Sequence, residues 1–296
     1  MQERSSDKSI AIQFVAPSVV LLALITMFPF VYTIYLSVMN IELTRPYIPR
    51  AFVGLRNYIR LLSDPRGLHS FKTTFLYVLL AVGMEAVFGL LIANFLHNHF
   101  RDSQVVLALL TVPMLIPKVV VALLWRVMYQ PLIGIINYLL SCIGIMGPAW
   151  LSDPSLALIS IVIADVWEWT PFMVLIVVTA LNSLPPDPFE AAALDGAGPW
   201  TMFRYVTLPM VAPLLSVAVA FRLIDALRSF DLVFVLTGGG PGTSTETVDI
   251  FAYFIGIAES GKISYAAAVS IIMLYATIFL TGRLTRSIEH WRNEPL

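Results

Sequence analysis

Two carboxylates and three tryptophans within apolar stretches are the side chains best suited to binding a polar solute. Asp165, Glu168 and Trp169 are three and four residues apart, so a helix would place them on one face. Carboxylates accept hydrogen bonds from hydroxyl groups, and an indole offers an apolar ring face. We therefore expect Asp165 and Glu168 either to form ion pairs or to line a wet cavity with Trp125, Trp167 and Trp169.

Basic partners for such ion pairs lie in a later apolar run. Arg222, Asp225 and Arg228 are spaced by three residues and would cover a sector of roughly 120° on a helix. A charge at the centre of a bilayer costs about 2.5–3.5 kcal/mol on insertion scales, so such charges pair or face water. Pairing of Arg222 or Arg228 with Asp165 or Glu168 is one interpretation, and contact with a hydroxylated solute is the other.

No grouping of side chains in the sequence suits covalent chemistry. Cys142 is the single cysteine, which excludes an internal disulfide and a cysteine-based zinc site. His97 and His99 are two residues apart and would point in different directions on a helix, which disfavours a metal site. The stretch 256–262 has the glycine and lysine spacing of a phosphate-binding loop, but Ile263 replaces the magnesium-binding serine or threonine. We expect neither catalysis nor nucleotide binding by this chain.

The composition places the chain in a membrane. Its 296 residues are 58% hydrophobic and 12% charged, with a mean hydropathy of +0.83. Soluble proteins average about 45–50% apolar and about 25% charged residues. The net charge of −1 gives no basic field for nucleic acid, so nucleic-acid binding is excluded as a main role.

Long apolar runs predict six membrane crossings and an all-α fold. A hydrocarbon core about 30 Å thick needs roughly 20 residues of helix. Five runs are plain, and a sixth is long enough although it contains four charged residues. The six are 10–39, 73–96, 105–127, 155–182, 211–236 and 263–282. The apolar run 248–258 is too short to cross and is predicted to be re-entrant or interfacial.

Six crossings place both termini on one side of the membrane. The long connections 40–72, 130–154 and 237–262 fall on the opposite side, while 97–103 and 183–209 fall on the side of the termini. Lysine and arginine are equally numerous on the two sides, so charge counting leaves the orientation open.

The connection 183–209 contains a predicted helix start. Asp187 followed by Pro188, with Glu190 three residues after Asp187, has the form of an acidic cap, a first-turn proline and a capping-box carboxylate. This pattern predicts a short helix over Phe189–Asp195. The helix would lie outside the bilayer.

A bend and a second helix are predicted to follow. Gly196 and Gly198 permit the positive φ that ends a helix, and Pro199 is suited to begin the next one, through Trp200–Tyr205. The connection is therefore predicted to be a rigid elbow between two membrane helices.

The spacing within this elbow resembles the EAA loop of membrane subunits in binding-protein-dependent ABC importers. Glu190-Ala191-Ala192, then Gly196 after three residues, then nine residues before Val206-Thr207-Leu208-Pro209, follows that family's pattern, with Val206 where isoleucine is usual. The resemblance implies that the loop is cytoplasmic and contacts an ATPase subunit. The implied ATPase-coupling residues are Glu190, Ala191, Ala192, Asp195, Gly196, Leu208 and Pro209.

Further stretches extend the resemblance across nearly the whole chain, to the carbohydrate importers of this family. They also imply that 40–72 is external and both termini are cytoplasmic. The matching stretches are 52–58, 134–137, Trp167 with Trp169 and Pro171-Phe172, Phe230-Asp231, and 236–242.

The resemblance implies a single 296-residue permease domain with the type I ABC importer fold in a bacterial-type inner membrane. It implies a second homologous permease, two ATPase subunits that hold ATP and magnesium, an external solute-binding protein and a sugar-like solute. No cofactor is expected on this chain itself. An ion- or proton-coupled secondary transporter is the main alternative, because the intramembrane carboxylates suit ion coupling. A membrane-embedded hydrolase or transferase is disfavoured, because no nucleophile and base converge.

Overall fold

The computed structural model of the chain describes residues 3–47, 49–99 and 104–293. The chain is mainly helical, as predicted, and its contacts divide it into two units. The first unit is Met1–Asp64 with Ala252–Leu274, and the second is Pro65–Phe251 with Tyr275–Leu296. Residues 100–103 of the predicted connection 97–103 lie outside the described residues.

The first unit contains a long membrane helix, a short hairpin and a surface helix. Within the hairpin, Met39 is antiparallel to Phe52. Residues of the last helix up to Leu274 also belong to this unit. Its elements are α1 (Glu3–Ser37), β1 (Met39–Asn40), β2 (Ala51–Phe52), α2 (Arg56–Ser63) and the start of α13 (Ile263–Asn293).

The second unit contains most of the remaining helices. It also contains a π-helical turn at Phe203–Thr207 and a 3₁₀ turn at Pro113–Leu115, whereas a further π-helical turn, Phe254–Ala258, belongs to the first unit. The α-helices of the second unit are α3 (Pro65–His99), α4 (Gln104–Leu110), α5 (Lys118–Met128), α6 (Ile135–Cys142), α7 (Ala157–Asn182), α8 (Asp187–Leu194), α9 (Pro199–Met202), α10 (Leu208–Ala226), α11 (Phe230–Leu236) and α12 (Val248–Tyr253) as far as Phe251.

Among the described residues, five helical stretches are long and apolar enough to cross a membrane. These are 14–37, 65–99, 157–182, 199–226 and 263–283. The run 248–258 forms a shorter apolar helix, in agreement with its predicted length.

The predicted unbroken crossing over 105–127 is wrong. Helix α4 ends at Leu110, a 3₁₀ turn follows, and α5 begins only at Lys118. Pro113 and Pro117 explain the break, because proline lacks an amide hydrogen and disfavours helical geometry in the residue before it.

The predicted continuous helix over 211–236 is also wrong. Helix α10 ends at Ala226 and α11 begins at Phe230, so Arg228 lies in the connection between them. The buried Ser229 in this connection accepts a hydrogen bond from the hydroxyl of Tyr77, 2.9 Å away. This contact from α3 fixes the chain at the break.

Close packing of α3 against α7 forms the centre of the second unit. A Cβ atom on Gly89 would collide with the backbone and Cβ of Met173, so the helices approach to a distance that only glycine permits. Towards the end of α3, Ala93 and Leu96 pack in one buried cluster with residues of α7 such as Val177. This pair supports the charged residues described below.

Candidate functional site

Helix α8 in the connection 183–209 is a surface helix. None of its side chains is buried, and Leu194 at its end is 90% exposed. Glu190, Ala191 and Asp195 are likewise exposed, and Ala192 is half-buried. The helix therefore leaves its acidic residues and most of its small residues exposed.

The predicted capping role of Asp187 is wrong. Asp187 is already the first helical residue, and its side chain makes no capping hydrogen bond. The chain enters the helix at Pro186, whose φ of −71° and ψ of −28° are already helical. Because the ring of proline fixes φ near −65°, Pro186 starts the helical geometry one residue before Asp187.

The bend after α8 depends on one glycine. Gly196 has a φ of +75°, whereas Gly198 has a φ of −72° and did not need to be glycine for its conformation. The amide of Ala197 donates to the carbonyl of Ala192 at 2.9 Å, and that of Gly196 donates to Ala193 at 3.1 Å. This pair of hydrogen bonds is the Schellman arrangement that ends a helix at a left-handed glycine.

The second arm of the elbow runs directly into a membrane helix. Pro199 is the first residue of α9, as predicted, and α9 continues through the π-helical turn into α10. Leu208 and Pro209, at the start of α10, are half-buried and exposed, respectively. At 1.5 Å per residue, this continuous helical stretch extends about 35 Å from Pro199 towards Arg222.

A cavity of about 810 Å³ lies between the elbow and the end of α3. His97 and Asn182 form part of its lining, and their side chains are hydrogen-bonded at 3.0 Å between Nδ1 and Oδ1. Phe189 of α8 and Met202 of α9 line the cavity on the side of the elbow. The hydrogen bond joins the ends of α3 and α7 next to the elbow.

A buried arginine joins the carboxylates of three helices. The guanidinium of Arg222 donates to both carboxylate oxygens of Glu85, each at 2.7 Å, and to Oδ2 of Asp165 at 2.8 Å. All three side chains are fully buried. The structure thus contains one of the ion pairs that the sequence suggested, Arg222 with Asp165.

The network reaches a partly exposed end at Asp225. Its Oδ2 accepts hydrogen bonds from Nη1 of Arg222 and from Nζ of Lys118, the latter at 2.8 Å. The side chains of Lys118 and Asp225 are 20% and 30% exposed. Through these contacts, one set of charges connects α3, α5, α7 and α10.

Trp169 lies beside the basic members of this network. Its ring centre is 4.6 Å from the guanidinium carbon of Arg222 and 5.4 Å from Nζ of Lys118, within the range of cation–π attraction. Its indole nitrogen, Oε2 of Glu168 and Oδ1 of Asp165 are buried without a hydrogen-bond partner in the described part of the chain. These atoms retain unused hydrogen-bonding capacity beside the charges.

The other two tryptophans proposed from the sequence, Trp125 and Trp167, lie apart from the charged network. Trp125 is buried and Trp167 is 41% exposed, and their rings are in edge contact at 5.8 Å. Both line an apolar depression of about 470 Å³ formed by α3, α5 and α7 and by residues near the break in 105–127. The tryptophans of the predicted set are therefore divided between two surfaces.

Arg228 does not pair with Asp165 or Glu168, as the sequence had suggested it could. It is exposed and lies near Asp249 of α12. Burial raises the pKa of Asp249 to about 6, and the positive charge of Arg228 opposes this rise. Because α10 ends before Arg228, the spacing of three residues from Asp225 no longer sets its direction.

Glu85 and Lys118 belong to the network but were not proposed from the sequence as its members. Glu85 is the lone charged residue in the apolar run 73–96, and a carboxylate in such a run is a signal for a buried partner. The sequence places Lys118 within the apolar run 105–127. It did not lead us to predict the break in the helix after which α5 begins at this residue.

The connections predicted to be external contain a second ion pair, of which only the carboxylate is buried. The guanidinium of Arg66 donates to both carboxylate oxygens of Glu246, at 2.8–3.1 Å, and the side chain of Glu246 is 1% exposed. This pair holds the segment after the glycine-rich turn against the start of α3. The sequence reasoning did not identify either residue.

Comparisons with known proteins identify relatives over most of the chain. A family model described as a binding-protein-dependent transport system inner membrane component matches residues 85–292. The trehalose/maltose transport system permease protein MalF of Thermococcus litoralis is 38% identical over 236 residues, 79% of each chain. The sulfoquinovosyl glycerol transport system permease protein SmoG of Agrobacterium fabrum is 30% identical over 283 residues, 96% of this chain and 91% of that protein.

A solved structure shares the fold. It is the crystal structure of a bacterial alginate ABC transporter in complex with an alginate pentasaccharide-bound periplasmic protein. The matched chain superposes with a TM-score of 0.83 at 19% identity, over 100% of this chain and 99% of that one. The chain belongs to the family of inner membrane components of binding-protein-dependent transport systems.

Proposed function

We propose that this importer subunit carries a sugar or sugar-like solute across the inner membrane, and that the elbow 183–209 transmits the force of ATP hydrolysis to it. ATP and magnesium are held by two separate ATPase subunits. An external binding protein delivers the solute, and a second homologous permease completes the path. The termini and the elbow lie on the cytoplasmic side.

The observation that carries the coupling role is the exposed, fixed elbow. Helix α8 has no buried side chain, its end is set by the left-handed Gly196, and the chain beyond Pro199 is helical up to Ala226. A bend that cannot flex transmits a rigid-body movement, whereas a flexible linker absorbs it. Movement at Glu190 or Asp195 would therefore reach Arg222 and its partners.

The relatives support a carbohydrate as the solute. One is named as a trehalose/maltose permease and another as a sulfoquinovosyl glycerol permease. In this chain, Trp169, Lys118 and Asp225 combine an aromatic ring with partly exposed polar groups, which suits the hydroxyls and apolar faces of a sugar ring.

An ion-coupled transporter is the second candidate, because buried oxygens of Asp165 and Glu168 have no partner in the part of the chain that the structure describes. Uptake by the reconstituted assembly, with labelled maltose or trehalose, separates the two. We expect uptake that requires ATP, the ATPase subunits and the binding protein, and that vanadate stops. Uptake that an uncoupler abolishes while ATP is maintained would contradict the proposal.

A further inference from the structure

Helix α2 presents an apolar stripe that the first unit leaves exposed. Asn57 and Leu61 of α2 are buried, while Leu55, Ile59 and Leu62 are 67%, 66% and 72% exposed. At 100° per residue, Ile59 lies about 200° around the helix from Asn57. The exposed apolar stripe is therefore opposite to the face that packs on the protein.

The position of α2 is fixed at the end of a membrane helix. The side-chain amide of Asn57 donates to the carbonyl oxygens of Ser37, at 2.8 Å, and Met39, at 2.9 Å, and the hydroxyl of Tyr58 donates to Oγ of Ser37 at 2.7 Å. Ser37 is the last residue of α1. The carbonyl of Ser37 is one that the end of α1 leaves without a helical partner, and together the three bonds tie α2 to the point where α1 ends.

The end of α1 has the character of a membrane interface. The most apolar part of α1 has no buried residue, so its surface is available to lipid. Tyr32 and Tyr35, stacked at 6.1 Å, lie within two turns of Ser37 and are about half exposed. Tyrosines are enriched where a membrane helix passes from hydrocarbon to headgroups, which places α2 at the level of the headgroups.

A second membrane helix holds α2 from its other end. The hydroxyl of Tyr265, near the start of α13, donates to Oδ2 of Asp64 at 2.8 Å, and the guanidinium carbon of Arg60 lies 4.7 Å from the centre of the Tyr265 ring. Because α13 begins at Ile263, α2 is attached to the ends of two membrane helices. Both ends of α2 are thereby held where membrane helices begin or end.

Two arginines lie beside the apolar stripe. Arg56 and Arg60 line a half-open depression of about 500 Å³, together with Asn40, Glu42 and Ser63. Among the described residues, neither arginine forms an ion pair with a carboxylate, whereas Glu42 lies 3.7 Å from Arg45. Guanidinium groups bind phosphate oxygens in a two-pronged manner.

We propose that α2 is an interfacial anchor that binds anionic phospholipid. Leu55, Ile59 and Leu62 insert at the boundary between headgroups and acyl chains, and Arg56 and Arg60 bind the lipid phosphate. An amphipathic helix with arginines beside an apolar face binds membranes in this way. Lipid is the occupant because α2 is hydrogen-bonded to the end of α1, a membrane helix whose most apolar part has no buried residue. This inference requires only that the chain spans a membrane, and not that its solute is a sugar.

The depth of α2 is tested with spin labels on the full chain in lipid nanodiscs. Ile59→Cys and Ser152→Cys, the latter on an exposed residue of the connection 130–154 that is predicted to be external, are each made in a Cys142→Ser background, because Cys142 is the single cysteine. We expect the label at position 59 to collide mainly with oxygen, which partitions into lipid, and the label at 152 mainly with a water-soluble nickel chelate. Equal access of the nickel chelate to both positions would overturn the proposal. Protection of position 59 only when the solute-binding protein is added would also overturn it, in favour of a protein partner.

Headgroup binding is tested by retention of phosphatidylglycerol against phosphatidylcholine on the same full chain, measured by native mass spectrometry. Removing both arginines, as Arg56→Gln with Arg60→Gln, should weaken retention of phosphatidylglycerol by about 25-fold, at about fivefold per arginine. Arg45→Gln is the matched control, since Arg45 already faces Glu42. Unchanged retention in the double variant, or displacement of the lipid by inorganic phosphate alone, would contradict an interfacial lipid site.

Discussion

The guanidinium of Arg222 and the carboxylate of Glu85 form a two-pronged ion pair in the interior of the protein, with both bonds 2.7 Å long. The two residues are 137 positions apart in the sequence and lie on α10 and α3. Since α10 continues from the elbow, this pair lies at the point where a movement of the elbow meets the packed helices. Asp165 of α7 shares the same guanidinium.

Arg222→Met should destabilise the protein strongly. The substitution keeps an unbranched side chain but leaves the buried carboxylates of Glu85 and Asp165 without their cation. Breaking a buried pair from one side costs about 3–5 kcal/mol. We expect a large fall in the thermal midpoint of the detergent-purified chain, and reduced levels in the membrane.

Two further variants show whether the charge or the geometry of Arg222 stabilises the protein. Arg222→Lys keeps the charge but loses the planar fork, so an intermediate loss is expected. Adding Glu85→Gln to Arg222→Met removes one orphaned charge and should recover part of the stability. A thermal midpoint equal to that of the wild type in Arg222→Met would contradict the role assigned to this network.

Replacing Gly196 by alanine should impair coupling, while the same change at Gly198 should not. A Cβ atom meets nothing within 4 Å at either position, so only the backbone differs. The left-handed conformation of Gly196 costs an L-residue about 1–2 kcal/mol. We expect Gly196→Ala to lower ATP-driven uptake at normal protein levels, and Gly198→Ala to leave it unchanged. Equal uptake by the two variants would show that the bend is not essential.

Charge at the exposed face of α8 should affect coupling without affecting folding. Glu190 is exposed and lies in a helix without buried side chains, so Glu190→Lys has no packing to disturb. We expect it, like Gly196→Asp, to abolish ATP-driven uptake while the subunit still inserts. Uptake assays with protein levels from immunoblots provide the measurement, and Glu190→Gln separates loss of the charge from its reversal. Normal transport by Glu190→Lys would argue against contact with the ATPase.

Trp169→Ala and Glu168→Gln should alter the choice of solute. Trp169 lies beside Arg222 and Lys118, and Glu168 has a buried oxygen without a partner among the described residues. Competition between labelled maltose and unlabelled sugars measures the preference. Trp167→Ala serves as a comparison, because Trp167 packs on Trp125 away from the charges. If the ranking of the sugars stays the same in both variants, these residues do not contact the solute.

The stability of the segment around Asp249 should decrease as the pH rises. Burial raises the pKa of Asp249 from 3.8 to about 6, so the folded chain keeps a proton between these values that the unfolded chain loses. The free energy of unfolding should therefore fall between about pH 4 and pH 6 and stay lower above, by at most about 3 kcal/mol. Thermal unfolding of the wild type and Asp249→Asn across this range tests it. If the stability of Asp249→Asn depends on pH in the same way as that of the wild type, Asp249 is not the cause of the pH dependence.

The sequence was sufficient for the elements that depend on local chemistry. Apolar run length predicts the membrane helices at 14–37, 65–99, 157–182 and 263–283, and Gly196 followed by Pro199 predicts the elbow. The break near Lys118 also has a local signal, because Pro113 and Pro117 both disfavour a continuous helix through the run 105–127.

Other features depend on contacts between distant residues. Helix α10 ends at Ala226 without a nearby proline or glycine, where Tyr77 of α3 holds Ser229. The pairing of Glu85 with Arg222 likewise depends on which helices become neighbours. No local pattern contains that information.

The proposed coupling requires that α8 contacts a cytoplasmic ATPase subunit. Ala193→Cys in a Cys142→Ser background places a single thiol on an exposed residue of α8, and Ser152→Cys provides a control on the predicted external connection. In membranes that contain the whole assembly, we predict that position 193 cross-links to the ATPase subunit. It should resist a membrane-impermeant maleimide added outside intact cells, which labels position 152. Labelling of position 193 from outside, without any cross-link to an ATPase, would contradict the proposed function.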